Sequence, residues 1–140
     1  MKKKLYIGCS LTLLPPDKKK EFLQMVSDVK QGLRAHFDVV EFLGVDDAAT
    51  ASPSEVYNYD IKNCVMKADC MLAVCDFPSI GLGYEMATAM EKRGIPVLAV
   101  AHKDSSVSRL IRGIDHKNFH FFFYNSVDEV ILRAVEILTK

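Results

Sequence analysis

Apolar positions along the chain come in two alternating kinds. Leu5 to Gly8, Val39 to Leu43, Cys70 to Cys75, Val97 to Ala101 and Phe119 to Tyr124 are short, nearly continuous apolar runs, and each predicts a strand. Cys70 to Cys75 is apolar throughout with an aspartate on either side, the pattern of a strand buried on both faces. Between these runs the spacing is helical. Asp17 to Phe37 carries Phe22, Met25, Val26, Val29 and Leu33 on one side. Ser52-Pro53-Ser54-Glu55 is a capping box with proline at the first helical position. The helix it opens is expected to bury Tyr57, Ile61, Cys64, Val65 and Ala68. A further helix is expected from about Gly83 to Arg93, ended by Gly94 and Pro96. Val107 to Arg112 gives one or two turns, stopped by Gly113. Ser126-Val127-Asp128-Glu129 is a second capping box, and Val127, Val130, Ile131, Ala134 and Leu138 form the last buried stripe.

Strands alternating with helices predict an α/β domain of three layers, with a five-stranded parallel sheet covered on both sides. The expected class is Rossmann-like or flavodoxin-like, with strand order 2-1-3-4-5 and right-handed crossovers. Residues 1–140 are expected to form one domain. In such a sheet ligands bind beyond the carboxyl ends of the strands, where the order switches between strands 1 and 3. Two loops therefore matter most, Gly8 to Pro16 and Asp76 to Gly83. Gly44 to Ala51, small and acidic, is the segment expected to be most mobile.

Charge narrows the partners. Eighteen Lys and Arg balance eighteen Asp and Glu, so no net field draws the chain to a nucleic-acid polymer. Cys9, Cys64, Cys70 and Cys75 make no C-x-x-C pair and have no histidine at zinc-ligand spacing, so a reduced cytoplasmic protein is expected. Met1-Lys2-Lys3-Lys4 looks like the start of a signal peptide. The apolar run after it is short and is cut by Gly8, Ser10 and Pro15, so neither a secretion signal nor a membrane span is expected.

Candidate chemistry gathers at the two loops. Gly81 and Gly83 allow a ligand close to backbone N–H groups at a helix start, which favours an anion. A dinucleotide fingerprint needs a third glycine where this chain has Met86. Glu85 is then expected in the first helical turn. Its plain reading is a helix-start carboxylate. Its functional reading is a nucleophile, held ionised by the helix dipole, that attacks an anomeric carbon and forms a glycosyl ester. Tyr6 reads as a core aromatic or a site residue, and Ser10 as a turn residue or a ligand contact. Asp60 edges a buried helical stripe, where a carboxylate needs a salt bridge or a function. Asp69 reads as structural. Asp76 reads as a ligand contact or a loop cap. Arg109 and Arg112 read as surface charge, and the four histidines have no usable spacing.

Two strings carry a resemblance: Ala68-Asp69-Cys70-Met71-Leu72-Ala73-Val74, and Pro78-Ser79-Ile80-Gly81-Leu82-Gly83-Tyr84-Glu85. With Tyr6 to Ser10 and Ser108-Arg109-Leu110-Ile111-Arg112-Gly113, they resemble the nucleoside 2-deoxyribosyltransferase superfamily, most of all its 2′-deoxynucleoside 5′-phosphate N-hydrolase branch. The resemblance implies a homodimer with no metal and no cofactor, acting on a small deoxynucleotide. It implies Glu85 as nucleophile, Tyr6 beside it and Asp60 as proton donor to the departing base. It implies Ser10, Ser79 and Ser108 as phosphate ligands, Ser108 reaching into the neighbouring subunit's site. A hydroxyl at position 79, where transferases of free nucleosides carry an acid, suits phosphate because like charges repel. Two features depart from the branch. Thr12 stands where it has an arginine. Asp60 stands nine residues before Asp69 where its pattern has eight, so Asp60 is displaced by about 100° of helical rotation or a kink absorbs the offset. Transfer of deoxyribose between bases, a non-catalytic nucleotide-binding module and, more remotely, an FMN carrier are the competing readings.

Overall fold

The computed structural model describes residues 1–40 and 50–140. Five strands form one parallel sheet: β1 (Lys4–Cys9), β2 (Asp38–Val40), β3 (Cys70–Val74), β4 (Val97–His102) and β5 (Phe119–Tyr124). Their order is β2-β1-β3-β4-β5, as the alternation of elements implied. The second strand was expected over Val39 to Leu43. Its last three residues, and the loop from Gly44 up to Ala49 that was expected to be mobile, lie outside the described residues.

The pleat sends alternate side chains to opposite faces. Leu5 and Ile7 of β1, Leu72 and Val74 of β3, and Leu98 and Val100 of β4 pack under α1 (Lys19–Leu33) and the C-terminal helix Val127–Leu138. Tyr6, Met71, Ala73, Val97 and Ala99 face the other side, with Ile61, Cys64, Val65, Leu82 and Met86. Both faces are covered, which is why the strands read as continuous apolar runs.

Capping positions behave as the sequence signalled, with one variation. Ser52 Oγ accepts from the Glu55 N–H at 3.2 Å, and Glu55 Oε1 accepts from the Ser52 N–H at 3.2 Å. At the last helix Ser126 Oγ accepts from the Glu129 N–H, but Glu129 reaches the Asn125 N–H instead of that of Ser126.

The helix opened at Ser52 departs from expectation. It runs as α2 (Pro53–Tyr57), widens to a π-helical segment over Asn58–Cys64 and tightens to a 3₁₀ turn over Val65–Lys67. Ile61, Cys64, Val65 and Ala68 are buried as expected, whereas Tyr57 is 44% exposed. The wide turn holds one residue more than an α turn, so the upstream stripe falls out of phase with the downstream one. The four cysteines are free thiols. Among the described residues no helix is long and apolar enough to cross a membrane.

Candidate active site

β1 and the helix after β3 meet at the crevice. That helix, α3 (Ile80–Ala87), begins three residues earlier than its glycines suggested. Ser79 is extended and its hydroxyl accepts from the Leu82 N–H at 3.1 Å, so Ser79 is the N-cap. Gly81 and Gly83 therefore lie inside the helix, and Glu85 stands in its second turn, not its first. The helix continues as a π segment over Thr88–Lys92 and ends at Gly94, whose φ of 66° suits glycine.

Glu85 is buried, only 8% exposed, against β1. The Tyr6 hydroxyl donates to Glu85 Oε2 at 2.5 Å. The expectation that the helix dipole holds this carboxylate ionised is not met. The dipole acts within the first turn, and burial dominates instead. Burial pushes the Glu85 carboxyl up to about 7; the Tyr6 hydrogen bond opposes the rise and the Asp60 charge adds to it. Burial, the Glu85 charge and bond, and more weakly the Asp60 charge keep Tyr6 protonated far beyond its usual range. Tyr6 and Glu85, singled out separately in the sequence, are thus joined by a hydrogen bond, and the Asp60 charge acts weakly on both.

Sequence reasoning gave no role to Gly8 beyond marking the first loop. A Cβ there would lie 2.9 Å from Leu82 Cδ1, 3.1 Å from Met71 Cε and 3.2 Å from Glu85 Oε1. Glycine here lets Leu82 and Glu85 approach this strand more closely than a side chain would allow without their shifting. Its signal was present, a glycine within an otherwise apolar strand, which marks close approach of another group.

The remaining candidates divide. Gly81 lies one turn before Glu85, on the same side of the helix. A Cβ on Gly81 would meet only Ser79 Oγ, at 3.9 Å, and one on Gly83 would meet nothing within 4 Å. Packing demands neither glycine. Ser10 is buried and its hydroxyl donates to the Pro78 carbonyl at 3.3 Å, tying the two crevice loops together. Asp76 accepts from the Tyr124 hydroxyl at 2.6 Å and from the His102 N–H at 3.3 Å, so its carboxylate braces β3 against β4 and β5. Ser108 is exposed and caps the short helix α4 (Arg109–Arg112), accepting from the Leu110 N–H at 3.2 Å. A cleft of about 640 Å³ opens on the opposite face of the sheet, between Phe22 of α1, Phe77 and Tyr124; it is bordered by Asp76 but not by Tyr6 or Glu85.

No protein-family model matches the chain. Among curated proteins it is similar to four named "Putative 2'-deoxynucleoside 5'-phosphate N-hydrolase 1". The one from Thermofilum pendens is 42% identical over 89 residues, 62% of this chain and 61% of that protein. The one from Methanococcoides burtonii is 40% identical over 60 residues, 43% of this chain and 48% of that protein. The matches thus span less than two thirds of these relatives' lengths. Among solved structures, a Clostridium botulinum CMP N-glycosidase superposes with a TM-score of 0.68 at 20% identity, over 94% of this chain and 96% of that one. The 2-desoxiribosyltransferase from Leishmania mexicana gives 0.59 at 17% identity, over 96% and 97%. At those identities the likeness is one of fold. The resemblance drawn from the motif strings therefore agrees with the curated relatives, and the strand order agrees with the solved ones.

Proposed function

We propose that this chain, a relative of proteins bearing a deoxynucleotide N-hydrolase name, hydrolyses the bond between base and deoxyribose in a 2′-deoxynucleoside 5′-monophosphate. One observation carries the reading: a buried carboxyl at Glu85, held by the Tyr6 hydroxyl and one helical turn from the bare backbone of Gly81. A carboxyl pushed up to about 7 keeps both an ionised, nucleophilic form and a protonated form in the neutral range.

In the first step a Glu85 oxygen bonds to the anomeric carbon as the C–N bond breaks. The two carboxyls share a proton, and the reacting form is the one with Glu85 ionised and the proton on Asp60; the electron pair leaves with the base, which takes that proton. In the second step water attacks the anomeric carbon and gives its proton to Asp60. The ester opens, freeing the sugar phosphate and restoring the Glu85 carboxylate. Tyr6 fixes one Glu85 oxygen and leaves the other to react. Ser79 and Ser108, with Ser10, are the hydroxyls assigned to phosphate, while Asp76, Gly81 and Gly83 border the substrate. No metal or cofactor takes part in this scheme. Ser108 would serve a second subunit in a homodimer. An apolar patch of Ile80 (96% exposed), Tyr84 (54%) and Tyr57 (44%) supports a partner surface on this side.

The test is base release, followed by chromatography, from the four deoxynucleoside monophosphates, the matching free nucleosides and the ribonucleotide CMP, with Glu85→Ala as control. Release from the deoxynucleoside monophosphates, cut about a thousandfold or more by the substitution, is the expected result. Near-normal release by the variant would remove Glu85 as nucleophile. A new nucleoside on adding an acceptor base would make the chain a transferase, and nucleotide binding without release a binding module.

A further inference from the structure

The helix before β3 changes phase at Asp60. An α-helix turns about 100° per residue. Ile61, Cys64, Val65 and Ala68 are buried and fix its inward side near the sheet. Continued upstream at that step, the stripe would bring Tyr57 inward and leave Asp60 about 100° off Ile61. The protein departs from this: Tyr57 is exposed, while Val56, Tyr59 and Asp60 are half-buried, Tyr59 against the core. The shift occurs within the π segment, where the Val65 N–H is shared between the Ile61 carbonyl, an ordinary α partner, and the Asp60 carbonyl one residue further back. In that wide turn Ile61 is buried, and so is the Asp60 Oδ1 oxygen.

We propose that the π turn over Asn58–Cys64 is the positioning device of this site, its surplus residue aiming Asp60 at the sheet face that carries Tyr6 and Glu85. The Asp60 charge acts on both groups, which fits that placement. The surplus residue lies within the nine-position step from Asp60 to Asp69. The catalytic part of this proposal rests on the function proposed above; the placement does not.

Asn58 and Asn63 are both exposed and bracket Asp60 within the π segment. Deleting either removes the surplus residue, with opposite consequences. Without Asn63 a regular helix keeps Asp60 inward and turns Ile61 out. Without Asn58 it keeps Ile61 inward and swings Asp60 away. Glu85 is followed by NMR titration of labelled glutamate carboxyls, a readout independent of turnover. Its midpoint should move to lower pH in Asp60→Asn and in the Asn58 deletion, and hold its place in the Asn63 deletion. Adding Asp60→Asn to the Asn63 deletion should cost at least tenfold in base release, and nothing further when added to the Asn58 deletion. The fold-safe variant Tyr57→Asp with Asp60→Asn should not restore the midpoint. The proposal is overturned if Asp60→Asn leaves Glu85 unmoved, if both deletions behave alike, or if a carboxylate at position 57 substitutes for Asp60. Should the wild type release no base from any substrate, the functional reading fails while the titration still decides the placement.

Discussion

At Gly81 the residue and the helix are in conflict. Glycine inside a helix costs about 1 kcal/mol relative to alanine, and nothing but Ser79 Oγ lies within 4 Å of where its Cβ would be. A residue that the fold does not need is explained by what must approach it. Gly81→Ala is therefore expected to leave the protein as stable as before, or more stable by up to about 1 kcal/mol in urea unfolding, while base release falls tenfold or more. Unchanged release would mean that no ligand passes over this turn. Gly8 has the opposite logic, because its missing Cβ is filled by Glu85 and Leu82. Both glycines are visible in the sequence, but only the fold separates the one with close neighbours around its Cβ position from the one with open space there. The same holds for Tyr6. Its strand position implied burial, yet the hydrogen bond to Glu85 joins residues 79 positions apart, a distance no local pattern encodes.

Among the elements, caps were legible and phases were not. The Ser52 box was readable because its reciprocal bonds involve residues three apart. Ser52→Ala should lower stability by about 1 kcal/mol, measured by urea unfolding, and should leave the Glu85 titration midpoint unchanged. A moved midpoint would show that the cap also steers the π segment. The stripe expected from Tyr57 fails because periodicity assumes one step per residue throughout, and a single π turn breaks that assumption. The start of α3 precedes the expected one for a related reason. Gly81 and Gly83 look like loop residues, yet the extended Ser79 with its hydroxyl on Leu82 N–H suffices to begin the helix before them. That shift of one turn moves Glu85 out of reach of the helix dipole and leaves burial to set its protonation.

On the scale of the molecule, the buried carboxyl links function to stability. Glu85 titrates near 7 when folded, because burial raises it from 4.5. The folded state therefore binds a proton more tightly than the unfolded chain between those values. Its contribution is fully present below about 4.5 and is lost as pH rises through about 7, so above neutrality the ionised carboxylate burdens the fold. Glutamine keeps the shape, still accepts from the Tyr6 hydroxyl and does not ionise. Glu85→Gln should match the wild type near pH 4 and exceed it progressively toward pH 8, by roughly 3 kcal/mol at most. Paired urea unfolding at several pH values gives the comparison. A gap that does not grow with pH would mean that Glu85 ionises freely in the folded state and is no better buried than a surface acid. A growing gap, together with lost base release, would show that the folded protein carries this carboxylate at a stability cost, as expected of a group retained for chemistry.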